Sequence, residues 1–371
     1  MDIKSDRHFQ DLIISRNLRK SSIKEYAKSL NQYCVFINKN PTELIEEAEN
    51  QEDQQIRMKN RNIKRYILDY YKYLKDRNLR YNTIKKQLAV IKTFYHEYDI
   101  ETPRFKLVED EIPETVYSTD LPGHDEIKKI LNNCNKKYQA IISTMASSGM
   151  GRAEIQHLKI KDFFSAINYS GNVEELNSIL DTKDINHVAS WKVFRIKTNM
   201  PYVTFSSPES IKLIVEYLLA SERRNMKIED PLFTSIGTRA LTNPAFEGMF
   251  TTINRRCGFG KTGYHHYFSS HKLRKFFATT LTIHQVPKIY VDWMLGHKIN
   301  RVDDSYFKID IEALKNEYIR ILPYLMFREK VEVHRMESED YKELQTLRSD
   351  MSSVKQFMKD KGWMEEYKTK L

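Results

Sequence analysis

The chain has 371 residues, with 60 Lys and Arg against 50 Asp and Glu, a net charge of +10 and a pI near 9.1. That length exceeds one ordinary hydrophobic core, so two domains are expected, and the basic excess points to a polyanion such as nucleic acid rather than a neutral small molecule. Cys34, Cys134 and Cys257 lie far apart with no CxxC pair, which excludes a disulfide framework and a cysteine-built zinc site and fits a reducing compartment. No run of 18 apolar residues occurs, and Met1-Asp2-Ile3-Lys4-Ser5-Asp6 lacks a hydrophobic signal region, so no membrane span or export is expected and a cytoplasmic, nucleoid-associated place is.

From residue 6 to about 107 apolar residues recur at helical spacing, as in Ile23, Tyr26, Leu30, Tyr33 and Phe36, and later in Ile84, Leu88, Ile91 and Tyr95. This stretch is expected to be all-helical. Residues 1–107 carry 22 Lys and Arg against 15 Asp and Glu, so most of the positive excess lies here. Arg19, Lys20 and Lys24 stand at one capped helix start, and Lys85, Lys86 and Lys92 lie on another helix, around an apolar stripe. They are candidate DNA contacts, although each could equally be part of a solvated helix face. Residues 108–123 are rich in Pro and acidic residues without helical periodicity, which suits a linker.

Helices resume over His124–Leu131 and Tyr138–Met145, followed by Ser147-Ser148-Gly149-Met150-Gly151-Arg152-Ala153-Glu154-Ile155-Gln156-His157-Leu158. Trp191 to Lys197, a Thr198-Asn199-Met200-Pro201 turn and Tyr202 to Phe205 alternate as a β-hairpin with Lys197 at its tip. Ser269 to Leu281 reads as a helix with a polar start, carrying His271 and Arg274; Val291 to His297 reads as a helix closed by Gly296. Leu295-Gly296-His297 ends 23 residues after Arg274, and Tyr306 follows nine residues after His297. A further amphipathic helix spans 312–327. The tail, residues 332–371, carries Leu344, Leu347, Met351, Val354 and Met358 at steps of three and four, a short heptad seam suited to docking on another protomer or on its own domain.

The chemistry of His271, Arg274, His297 and Tyr306 is that of a phosphate clamp beside a nucleophile. Arg offers a planar, permanently charged fork matched to two phosphate oxygens, His can donate or move a proton near neutral pH, and Tyr carries a phenolic oxygen. Their order and spacing resemble the second catalytic box of the tyrosine recombinase family, the phage and archaeal-type integrases and Xer-like recombinases. The resemblance implies a mainly α fold with a small antiparallel β-sheet (α+β), arranged as a C-shaped clamp. Its parts are a helical core-binding domain over residues 1–107, a linker over 108–123, a catalytic domain over 124–331 and a helical tail over 332–371 as a probable protomer contact. The N-terminal helices resemble those that integrases lay across DNA.

The resemblance also implies roles. Tyr306 attacks a DNA phosphodiester; Arg152, Arg274 and His297 hold the non-bridging oxygens; Lys197 protonates the leaving 5′-hydroxyl; and His271 accepts the tyrosine proton. It implies no metal and no other cofactor, a duplex target with inverted-repeat arms, and a homo-oligomer on DNA, a tetramer. One box departs from the family. Its usual form is Gly-Leu-Arg-x-x-Glu-Leu, and alignment on Glu154, Leu158 and Asp162 puts Gly151, not Arg152, in the arginine's place. A one-residue slip on a helix turns a side chain by about 100° and moves it about 1.5 Å. With no other arginine nearby in the sequence, Arg152 is expected to reach the phosphate through a remodelled turn.

A metal enzyme is the first rival, because Cys257, His265, His266 and His271 cluster in sequence, but their spacing fits no zinc motif and no acidic set for two metals accompanies them. A type IB topoisomerase shares the chemistry; the short interval from His297 to Tyr306 and the N-terminal helices favour recombination. A DNA-binding relative with weakened catalysis is the third reading, kept open by the slipped Arg152.

Overall fold

In the computed structural model, residues 2–108, 120–176, 188–220, 226–235, 237–262, 265–298 and 310–328 are described. They divide into two units, Met1–Thr115 and Val116–Leu371, each with its own core. The division falls within the Pro- and acid-rich segment.

The first unit contains α1 (Arg7–Ser15), α2 (Lys20–Ile37), α3 (Pro41–Asp53), α4 (Asn62–Asp76) and α5 (Tyr81–His96). Two of its helix starts, those of α1 and α3, follow from side chains that take up orphan backbone N–H groups, whereas α2, α4 and α5 begin after Arg19, Arg61 and Arg80 without a side-chain cap, so the capped starts expected for α2 and α5 are not formed. The Asp6 carboxylate accepts from the backbone of His8 and Phe9 and also from the Thr42 hydroxyl at 3.0 Å, which joins α1 to α3. Asn40 and Glu43 form a reciprocal capping box with Pro41 in the first turn of α3. The core holds Leu30, Tyr33, Ile67, Tyr70, Leu88, Ile91 and Phe94. Tyr33 and Tyr95 meet hydroxyl to hydroxyl at 3.3 Å, and burial holds the Tyr33 phenol well above its ordinary pKa. Of the basic residues singled out, Arg19, Lys20, Lys24, Lys85 and Lys86 are exposed, while Lys92 is half-buried with its ammonium 4.7 Å from the Phe105 ring centre.

The second unit is built on α7 (Lys136–Ser148), which follows α6 (His124–Asn132) and is buried from Ala140 to Ser148. Three hydroxyls on this buried helix are satisfied within it: Thr144 donates to the Ala140 carbonyl, Ser147 to Ser143 and Ser148 to Thr144. Small side chains let neighbours close in. Against α7 pack α10 (Pro208–Leu218) and α12 (Ser270–Ile283). The rest comprises α8 (Arg152–His157), α9 (Ile160–Ala166), the hairpin β1 (Ala189–Arg195) and β2 (Met200–Ser206), α11 (Asn243–Arg256), a two-residue pair β3 (Lys261–Thr262) and β4 (His265–His266), α13 (Lys288–Met294) and α14 (Ile311–Ile321). The mainly helical class with a small antiparallel sheet is therefore what the chain adopts.

The helix expected over 312–327 ends early, at Ile321, and continues as a 3₁₀ turn over Leu322–Leu325. Pro323 has no N–H for the α-helical ladder and its ring crowds the preceding turn, so the tighter turn takes over. α14 is anchored on α7 by Tyr318, fully buried, whose hydroxyl donates to the Ser147 carbonyl at 2.7 Å. Among the described residues no helix is long and apolar enough to cross a membrane. The seam expected beyond residue 332 lies outside the described residues.

Candidate active site

Two helix ends create the site. α7 stops at Gly149 (φ +67°) and α13 is closed at Gly296 (φ +60°), both left-handed conformations that a side chain disfavours. Space demands glycine as well: a Cβ on Gly149 would lie 2.3 Å from Phe277 Cδ1, and one on Gly296 2.7 Å from Tyr202 Cδ1. Carbonyls at a helix C-terminus lack intrahelical partners and carry partial negative charge. Arg274 answers both ends, donating from Nη1 to the Gly149 carbonyl at 2.7 Å and from Nη2 to the Leu295 carbonyl. Its own position is set by α12, where Ser269 caps the start and Leu273, Phe277 and Leu281 bury the neighbouring face.

The hairpin brings a second guanidinium. Strand side chains alternate between faces, and Trp191 and Val193 point into the core while Lys192 and Phe194 face out. Arg195 therefore falls on the inner face. Its Nη1 donates to the same Leu295 carbonyl at 2.5 Å, and it lies 4.0 Å from the buried carboxylate of Glu154 on α8. Arg195 and Arg274 thus share one acceptor. Loss of hydration, then the charge of Arg195, lowers the Arg274 pKa, against the opposing pull of Tyr202 and Glu154; an arginine so placed still remains charged. The hairpin turn is tied to the end of α13 by Thr198, whose hydroxyl donates to the Gly296 carbonyl at 3.2 Å. Lys197 occupies that turn and is exposed, as its place at the tip anticipated.

His271 stands one turn before Arg274 on α12. Loss of hydration, followed by the positive charges of Lys275, Arg274 and Lys197, pushes its imidazole pKa below the ordinary 6.5. The neutral ring, able to accept a proton, is therefore favoured at neutral pH. NMR titration of the DNA-free protein should show a His271 midpoint below 6.5, moving upward in Lys197→Met; a midpoint above 6.5 contradicts this electrostatic picture. His297 is exposed and its Nδ1 meets Asp292 Oδ1 at 2.9 Å. Although burial works against it, hydrogen bonds from Lys288 and His297 keep the Asp292 carboxyl below the usual range. A carboxylate on Nδ1 orients the ring and leaves Nε2 to face a substrate.

Arg152 is placed differently. Its Nη1 makes a 2.7 Å ion pair with Glu247 of α11, and both side chains are exposed. No other arginine is near Arg152 in the sequence, but the fold carries Arg195 to within 4.0 Å of Glu154 from 41 residues farther along the chain. Arg195, Tyr202 and Asp292 stand beside the candidate residues, and sequence reasoning did not single them out. A signal existed for the first: continuing the Trp191, Val193 alternation puts Arg195 at an inward position, where an arginine needs a partner. Tyr306 lies outside the described residues. Among those described, no three His, Cys, Asp or Glu side chains gather as metal ligands.

The phage integrase family profile matches residues 123–312. Among solved structures, a lambda integrase fragment described as a dimer bound to a core site matches with a TM-score of 0.52 and 13% identity, covering 82% of this chain and 97% of that one. XerH site-specific recombinase, described as bound to a palindromic difH substrate in a post-cleavage complex, matches with a TM-score of 0.51 and 17% identity over 82% of this chain and 81% of its own. Tn1549 transposon integrase, described in complex with transposon right-end DNA, matches with a TM-score of 0.50 and 13% identity over 86% and 99%. No curated protein sequence matches. With more than half its length covered by that profile and the Arg274 cluster assembled on two helix ends within the matched span, the chain belongs to the phage integrase family.

Proposed function

We propose that the protein is a site-specific DNA recombinase, cleaving and rejoining DNA through a 3′-phosphotyrosyl intermediate. The observation that carries this reading is Arg274, seated on the ends of α7 and α13, with His271 one turn before it and His297 two residues beyond the Leu295 carbonyl it holds. The phenolic oxygen of Tyr306 bonds to phosphorus as the bond to the 5′-oxygen breaks. His271 takes the phenolic proton, and Lys197 supplies one to the departing 5′-oxygen, which leaves as a hydroxyl. Arg274 and His297 meet the charge growing on the non-bridging oxygens. The phosphodiester is exchanged for a phosphotyrosyl ester, so its bond energy is kept and ATP is not needed. A DNA 5′-hydroxyl reverses the step.

Arg19, Lys20, Lys24, Lys85, Lys86 and Lys92 of the first unit are proposed as phosphate contacts, which makes binding fall steeply with rising salt. The palindromic substrate of XerH and the lambda integrase dimer support a target with inverted arms bound by several protomers, a tetramer in the complete reaction, with residues 332–371 as the contact between them. Such a protein works at the nucleoid. Incubating the full chain with a nicked duplex that carries the inverted repeats flanking its gene tests the reading. A DNA–protein species stable to denaturation is expected; a site that is bound but never trapped contradicts it and favours a non-catalytic relative.

A further inference from the structure

We propose that Arg195 is the second guanidinium of the scissile-phosphate clamp, taking the role that alignment of the first box assigns to Arg152. This rests on the recombinase reading above. A phosphodiester in the transition state presents two non-bridging oxygens, and two arginine forks aimed from different elements meet them best. Arg195 and Arg274 are such a pair. Each gives one Nη to the Leu295 carbonyl, so those nitrogens are no more than two hydrogen-bond lengths apart.

The first box carries no side chain at Gly151. The position that the family's pattern gives to arginine is here glycine, and a Cβ built on it would lie 2.6 Å from Glu154 Oε2. The Glu154 carboxylate occupies the space a side chain at 151 would enter. It is buried, and a buried carboxylate is costly without a cation; Arg195 lies 4.0 Å away. Arg195 is thus the arginine held by the box's own glutamate, delivered from β1 instead of α8.

Donor capacity remains. Arg195 Nε is buried and has no acceptor among the described residues, which leaves this fork short of the hydrogen bonds a guanidinium can make. Burial first, and then the charge of Arg195 beside it, lowers the Arg274 pKa, and an anion arriving between the two cations relieves their repulsion. Arg152 shows the opposite features: it is exposed and its charge is met by Glu247. Placing the arginine on β1 also makes one hairpin deliver both the clamp and Lys197, so the phosphate's charge and the leaving group's proton are positioned by a single element.

The test uses the full chain and a nicked duplex carrying its site, in two forms: the ordinary scissile phosphate, and one with a methyl group replacing a non-bridging oxygen, which removes the negative charge. Arg195→Ala should form the covalent complex about 10²- to 10³-fold more slowly than wild type on ordinary DNA, the scale of one lost transition-state donor. Most of that deficit should vanish on the neutral phosphate, because there is no charge for the missing fork to meet. Arg152→Ala should show no such charge-selective loss. If Arg195→Ala does not fold, as thermal melting will show, Arg195→Lys carries the same test, keeping the ion pair with Glu154 while losing the fork. An Arg195 variant that cleaves normally, or is equally slow on both substrates, overturns the proposal, as does a charge-selective loss in Arg152→Ala. A wild-type chain that binds the site and never forms the complex overturns the recombinase reading, and this proposal with it.

Discussion

Tyr306→Phe should abolish the covalent DNA complex while leaving DNA binding and the melting temperature as they are, since it removes one oxygen and keeps the ring. Three of the described tyrosines offer poor substitutes. Tyr318 is fully buried with its hydroxyl committed to the Ser147 carbonyl, and Tyr324 stacks on His284 with ring centres 3.6 Å apart. Tyr202 lies beside Arg274, but burial pushes its phenol far above the range where a phenolate forms. A denaturing gel of labelled DNA reads the outcome directly, and normal adduct yield from Tyr306→Phe refutes the assignment.

Arg274→Ala is expected to combine two losses. Cleavage should fall by at least about 10²- to 10³-fold, as for one removed transition-state donor. Stability should fall too, because the buried Gly149 carbonyl loses its donor, at about 1–3 kcal/mol for a buried group left unsatisfied, while the Leu295 carbonyl keeps Arg195. Arg274→Lys separates the effects: an ammonium keeps the charge but cannot bridge both helix ends as a fork, so cleavage should drop more than melting does. Single-turnover cleavage and thermal melting, measured side by side, check this. Wild-type cleavage by either variant contradicts the clamp.

Much of this was legible because local rules and tertiary demands agree in the second box. Ser269 caps α12, Gly296 closes α13, and the Arg274 and His297 positions follow from two helices whose ends the sequence marks. The hairpin was legible for the same reason, its alternation matching a half-buried pair of strands, although its turn lies at residues 196–199 and not over Thr198 to Pro201, because Arg195 and Phe194 pair with Met200 and Pro201. What stayed hidden depends on contacts between distant segments. Nothing near Gly151 in the sequence announces that Glu154 will face an arginine of β1, because that pairing exists only once α8 and the hairpin pack together. The Arg152–Glu247 pair is equally non-local, linking α8 to α11. The end of α14 was misread for a local reason: its apolar spacing runs on through Pro323, and the proline's missing N–H decided the boundary.

The most direct measurement is to trap the wild-type chain on its nicked duplex, digest the protein and the DNA, and locate the residual phosphonucleotide by mass spectrometry. The account predicts one modified peptide, the one containing Tyr306, joined through its phenolic oxygen to a 3′-phosphate. An adduct on another residue, a 5′-linkage, or no adduct on a site the protein occupies contradicts it.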